Sequence, residues 1–254
     1  MKIFEKTPYF DEEKGAEPFI QPFLLEGENN PCIIVCPGGG YMSLAEHEYY
    51  NEFFNSLGFS CVVLHYRLTP YTYPCQQIDL ARAIRYVKAH AQEFRIDPEK
   101  ILLAGSSAGG HLCASVAAAN ENDFVTQDDE IDKFSLKVNG VVLCYPLILA
   151  EDENTKWCFD NLLGEQKDLI EKVSAEKLVN SDMPPVFLWH TFEDKTVDVR
   201  HSLEYAAALK QSGVPFELHI YPYGNHGWGL AQREPYINAW TGSLKKWLEL
   251  NKFI

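Results

Sequence analysis

Three short stretches of this chain carry side chains suited to nucleophilic chemistry. The most specific is Gly105-Ser106-Ser107-Ala108-Gly109, which follows the apolar run 100–104 and precedes Leu112, Val116 and Ala119 at helical spacing. A serine at the centre of G-x-S-x-G, between a strand and a helix, is forced into a strained turn that projects its hydroxyl, and small neighbours let strand and helix approach. The helix N-terminus beside it favours developing negative charge. An inert Gly/Ser turn is the plainer reading of the pentapeptide alone, but the strand before it and the helix after it favour Ser107 as a nucleophile, with Ser106 structural.

The second stretch is Pro37-Gly38-Gly39-Gly40-Tyr41, directly after the run 32–36. Three residues without Cβ atoms leave backbone N–H groups free to point into a site, and acyl transfer needs such donors about 2.7–3.1 Å from the oxyanion. The candidate donors are the amides of Gly39, Gly40 and Ala108. A glycine run by itself is only a flexible turn; paired with the serine turn it reads as an oxyanion loop.

Serine at its ordinary pKa is a weak nucleophile and needs a base held by an acid. Of three late histidines, His219 lies inside the strand-like run 216–221, where packing is expected, and His201 falls on an expected helix. His226, in the glycine-flanked loop Tyr223-Gly224-Asn225-His226-Gly227-Trp228, is the candidate base. The candidate acid is Asp194, a few residues beyond the run 185–190. Glu193 and Asp198 are alternatives, and Asp198 can instead cap the following helix. The order Ser…Asp…His is the one expected on a parallel α/β scaffold.

The elements that must hold these groups are legible as periodicity. Apolar runs at 32–36, 60–66, 100–104, 138–145, 185–190 and 216–221 lack polar alternation, as strands covered on both faces do. Between them Leu80, Ile84, Val87, Ala91 and Phe94 share one helical face, and Trp240, Leu244, Trp247 and Leu248 form a C-terminal stripe. Strands alternating with helices predict an α/β fold with an open, mostly parallel, twisted sheet and helices on both faces. The first 30 residues, with Pro8, Pro18 and Pro22, read as short edge strands. Residues 146–184 hold two short helices and no clear strand, and are expected to be a lid or pocket wall inserted where ligands bind in such sheets.

Taken in order, these stretches, together with Leu64-His65-Tyr66-Arg67-Leu68, Ile96-Asp97-Pro98-Glu99-Lys100-Ile101, the Gly110-His111-Leu112 continuation of the serine motif and Asp194-x-x-Val197, resemble an α/β-hydrolase of the small bacterial esterase group that includes acetylxylan-esterase-like and other sugar acetyl esterases. The likeness covers roughly residues 31–240. It implies a Ser107–His226–Asp194 triad that removes short acyl groups, acetyl foremost, from hydroxylated carriers without a cofactor. Pro37 stands where the hormone-sensitive-lipase-like branch has His, and is familiar in the acetylxylan-esterase-like branch. Val197-Asp198 stands where Val-Pro is commoner. A peptidase or amidase with the same triad, and a catalytically silent binding scaffold, are the competing readings.

Composition narrows the classes further. The 254 residues, 46% apolar and 23% charged, suit one globular domain of about this length, spanning 1–254. Such a chain needs no disulfide or metal staple. With 22 Lys+Arg against 36 Asp+Glu, its net charge of −14 disfavours nucleic acid and anionic membrane as partners. A small-molecule ester, an acetylated sugar among the candidates, is the expected partner. Seven cysteines without a CxxC pair, no apolar stretch after Met1, and no run of about 20 apolar residues point to a cytoplasmic protein. Eight histidines show no HExxH or tight ligand cluster, so no metal is expected. Tyr41, Trp157 and Trp228 are candidate pocket residues, and Trp189 a further aromatic; core packing is the plainer reading for each tryptophan. His111 is expected to bond locally, and the acidic run Asp128-Asp129-Glu130 to be a solvated loop.

Overall fold

The apolar runs lie side by side in one sheet. In the computed structural model, which describes residues 1–45, 48–126 and 129–254, seven strands are ordered β1-β3-β2-β4-β5-β6-β7. They are β1 (Phe19–Phe23), β2 (Asn30–Cys36), β3 (Ser60–His65), β4 (Ile96–Ser106), β5 (Gly140–Cys144), β6 (Val186–Thr191) and β7 (Phe216–Tyr221). Each pairs in parallel with its neighbours except β1, which runs antiparallel to β3 with Phe19 opposite His65 and Phe23 opposite Cys61.

Alternation along each strand divides the apolar residues between two cores. Cys32, Ile34 and Cys36 join Val62, Leu64 and Leu103 on one face; Ile33 and Val35 join Cys61, Val63 and Leu102 on the other. The second face is covered by α1 (Glu48–Ser56) and α9 (Pro235–Leu250), whose Trp240 stacks on Trp189 of β6 at 5.1 Å. The first is covered by α2 (Cys75–Ala89), α4 (Ala108–Ala117) and α8 (Arg200–Gln211). Burial on both faces is why the strands read as continuous apolar runs.

Several boundaries differ from the periodicity. The stripe from Leu80 to Phe94 is buried throughout, but the helix stops at Ala89, and Ala91–Phe94 form a separate turn, α3. Arg95, with φ of +56°, then reverses the chain into β4. Strand β4 begins at Ile96, four residues before the apolar run, because Ile96 pairs with Asn30 ahead of a register shift to the Cys32–Ile101 pair. Helix α1, EYYNEFFNS, has no aliphatic stripe that would announce it. Before β2 opens at Asn30, the proline-rich start of the chain supplies a single strand, β1, and an isolated bridge between Lys2 and Phe19. Residues 146–184 hold α5 (Lys156–Leu163), a 3-10 turn at Lys167–Leu169, α6 (Ile170–Val173) and α7 (Ala175–Leu178), and no strand. Asp128 of the acidic run lies outside the described residues. Asp129 is not simply solvated: with Asp132 it clasps Arg82, at 2.6 and 2.8 Å. All seven cysteines are buried thiols. Among the described residues no helix is long and apolar enough to cross a membrane.

Candidate active site

Ser107 occupies the single residue between the end of β4 and the start of α4. Its backbone has φ of 52° and ψ of −122°, a conformation that costs a non-glycine residue of order 1–3 kcal/mol and persists only where the surroundings enforce it. Here its N–H donates to Cys144 O at 3.0 Å, and its carbonyl accepts from His111 N at 3.1 Å and Leu147 N at 3.0 Å. The turn also requires glycine at two places. A Cβ on Gly105 would fall 2.3 Å from Gly109 O, and one on Gly109 would fall 2.0 Å from Cys36 O. Ser106, by contrast, is buried at the end of the strand.

The loop after β7 delivers His226 to this serine, with Nε2 2.8 Å from Ser107 Oγ. The loop after β6 delivers Asp194, whose Oδ2 lies 2.6 Å from His226 Nδ1. An ionised carboxylate only accepts, so Nδ1 carries the proton and Nε2 is left to accept from the serine hydroxyl. Asp194 Oδ1 accepts from the amides of Thr196 at 2.9 Å and Val197 at 3.0 Å. Burial by itself would raise this carboxyl, but hydrogen bonds from His190 and His226, the nearby imidazole and the Val197 amide outweigh it and hold Asp194 well below the usual carboxylate range. Tyr145 packs edge-on against the His226 ring at 5.0 Å.

Glu193 and Asp198 do not reach the imidazole: Glu193 is exposed and sits 3.4 Å from Gly224 N, while Asp198 Oδ1 accepts from Arg200 N at 2.8 Å at the start of α8. His219 is half-buried and paired with Glu217 at 2.6 Å, not packed inside. His201 does lie on a helix, fully buried.

The glycine loop passes directly over the serine turn; a Cβ on Gly38 would stand 3.1 Å from Ser107 Cβ. Gly39 (φ +129°) and Gly40 (φ +61°) have left-handed backbones that favour glycine. Every carbonyl of the segment is engaged. Pro37 O accepts from Tyr66 Oη at 2.6 Å and Gly40 O from Asn161 Nδ2 at 2.9 Å. Gly38 O accepts from Ala45 N at 2.9 Å, Gly39 O from Met42 N at 3.0 Å and Tyr41 O from Thr69 N at 2.9 Å. A trans peptide points its N–H opposite its C=O, so fixing Gly38 O and Gly39 O aims the N–H groups of Gly39 and Gly40 the other way. Among the described residues no hydrogen bond occupies the amides of Gly39, Gly40 or Ala108.

The aromatic candidates fare differently. Trp157, 45% exposed on α5, lies over Gly40, where a Cβ would meet its ring at 2.3 Å. Trp228 is half-buried against the second core. Tyr41 does not line an open pocket: it is fully buried, at a backbone φ of +62°, with its hydroxyl 2.5 Å from His111 Nδ1. Trp189 is likewise core. His111 bonds locally, with Ser115 Oγ 3.4 Å from its Nε2 and donating to its carbonyl at 2.8 Å, and also over a long range, to Tyr41 and, through Nε2, to Val173 O at 2.6 Å. Sequence reasoning missed His190, fully buried, whose Nε2 lies 3.3 Å from Asp194 Oδ2; its position four residues before the acid was the available signal. It also missed Asn161, for which no local signal exists, and it quoted Tyr66 only within a motif, without the bond to Pro37 O. Among the described residues no group of three or more His, Cys, Asp or Glu is gathered to hold a metal.

A mostly parallel sheet in this strand order, with the serine turn at its centre, is the α/β-hydrolase fold. Within that class the chain belongs to the BD-FAE family, whose profile matches residues 24–209. The chain is similar to a solved acetyl ester-xyloside bifunctional hydrolase from Caldicellulosiruptor lactoaceticus, with 41% identity, a TM-score of 0.94, and coverage of 100% of this chain and 96% of that one. It is 32% identical over 253 residues to endo-1,4-beta-xylanase B of Butyrivibrio fibrisolvens, covering 94% of this chain and 39% of the relative. It is 29% identical over 237 residues to an acetylxylan esterase of Xylanibacter ruminicola, covering 89% and 47%. The chain thus spans less than half the length of these two curated relatives.

Proposed function

We propose that the protein is a serine carboxylesterase that removes short acyl groups, acetyl foremost, from hydroxylated carriers such as sugars. The observation that carries this reading is the 2.8 Å approach of His226 Nε2 to Ser107 Oγ, with Asp194 holding the opposite ring nitrogen. His226 takes the serine proton as Oγ attacks the ester carbonyl. The resulting oxyanion accepts hydrogen bonds from the amides of Gly39, Gly40 and Ala108. His226 then returns the proton to the departing alcohol, and the same imidazole activates the water that frees the acid. Relatives named for acetyl esters and acetylxylan support acetyl on a sugar as the substrate. All seven cysteines being buried thiols supports a reducing, cytoplasmic setting.

The test is an ester panel varying acyl length and alcohol, scored by kcat/KM for the wild type and Ser107→Ala. Acetyl esters of sugars are expected to be preferred, with turnover in the variant lost by about 10⁶-fold. Retained activity in Ser107→Ala, or preference for long acyl chains, overturns the reading.

A further inference from the structure

Two of the proposed oxyanion donors, the amides of Gly39 and Gly40, belong to a loop with no side chains between Pro37 and Tyr41; Ala45 and Met42 close its inner turns through Gly38 O and Gly39 O, and its two ends are tied from outside. Its upstream end is tied at Pro37 O by Tyr66. Its downstream end is tied by residues 146–184. Asn161 of α5 donates to Gly40 O at 2.9 Å, and the Trp157 ring closes over the Gly40 Cα. The next residue, Tyr41, leads through His111 to Val173 at the end of α6, by contacts of 2.5 and 2.6 Å. The relay has one proton arrangement. A carbonyl only accepts, so His111 Nε2 carries the hydrogen toward Val173 O, Nδ1 is the acceptor, and the Tyr41 phenol donates. Burial keeps this imidazole neutral, pushing it down to about 4. The ring is further wedged edge-on against Phe159 of α5 at 5.2 Å.

Resting on the esterase reading above, we infer that residues 146–184 are the positioning frame of the oxyanion loop, acting through Asn161 on Gly40 and through the Val173–His111–Tyr41 relay. The segment is then part of how the transition state is held, and not only a wall around substrate. Tyr41, His111 and Asn161 are positioning residues; none of them touches the reacting atoms. Because the oxyanion exists only beyond the ground state, loosening its donors lowers kcat and leaves substrate binding alone.

The experiment compares the full chain with Tyr41→Phe and, separately, Asn161→Ala. It measures kcat and KM for p-nitrophenyl acetate, inhibition by a trifluoromethyl ketone whose serine adduct places an oxyanion in the same position, and Tm. The expected result in each variant is a kcat lower by about tenfold, short of the loss from deleting a donor outright, with ketone affinity weakened in the same proportion and KM within about twofold. The inference is overturned if kcat is unchanged in both variants, if KM rises while kcat stays, or if kcat falls without a matching loss of ketone affinity. A wild type that turns over no acetyl ester sinks the esterase reading instead, whereas an active wild type with indifferent variants sinks only this one.

Discussion

Asp194 meets two demands with two oxygens: Oδ1 closes the turn into Thr196 and Val197, and Oδ2 receives two histidines. The role proposed for it as the acid rests on the second oxygen, which fixes the tautomer of His226. Asp194→Asn keeps the shape and an acceptor for the turn, but presents the imidazole with an amide that can reverse its tautomer. The expected loss in kcat on p-nitrophenyl acetate is about 10³–10⁴-fold. Asp198→Asn, which still accepts from the Arg200 amide, should stay within about twofold of wild type. Equal losses in the two variants would move the acid's role away from Asp194. The three side chains that meet here were legible because each follows a strand end, and strand ends can be read from apolar runs. His190 is not singled out, since a histidine inside an apolar strand reads as packing; the burial of Tyr41 is not legible because its partner, His111, stands 70 residues away.

At the scale of elements, the same contacts that shape the site restrict its glycines. Helix α4 can rest on β2 only because Gly109 has no Cβ; one would overlap Cys36 O at 2.0 Å and Pro37 O at 2.5 Å, both backbone atoms that cannot swing aside. Gly109→Ala is therefore expected to push α4 off the glycine loop and to lower Tm and kcat together. Gly242, inside α9, meets nothing within 4 Å, and Gly242→Ala should stabilise by about 0.5–1 kcal/mol through the unfolded chain and helix propensity. Urea unfolding of the two variants checks both signs. Periodicity located the strands well, since burial on both faces leaves no polar interruption. It did worse where tertiary contacts set the boundaries: His90 breaks a stripe whose residues are all buried, and α1 carries Tyr50 and Phe54 to the core in a sequence with few aliphatic residues.

For the whole molecule, two buried histidines tie residues 146–184 to the sheet's helices. His111 holds Val173 from α4. His201 of α8 accepts from the amides of Ile148 at 2.9 Å and Leu149 at 3.1 Å through Nδ1, and donates from Nε2 to Asp152 at 2.9 Å. Burial is the main cause that pushes each imidazole down to about 4, in His201 against the pull of Asp152. In the unfolded chain both return to about 6.5. Below that pH the unfolded chain takes up protons that the native state refuses, so the stabilisation is whole above about pH 7 and drains away as pH falls toward 4. At pH 5 each group accounts for a loss of about 2 kcal/mol, a large share of a folding free energy of about 5–15 kcal/mol. The carboxylates held low, Asp194 and Asp129, act in a separate window below about pH 4. Urea-unfolding free energies of wild type, His111→Gln and His201→Gln at pH 7.5 and pH 5 isolate the effect: each variant should lose about 2 kcal/mol less than wild type over that interval. Parallel losses in all three proteins would mean that neither imidazole is held neutral. Because both histidines bond to residues 146–184, hydrogen exchange at pH 5 should rise first at the amides of Ile148 and Leu149, ahead of the amides within β2 and β4.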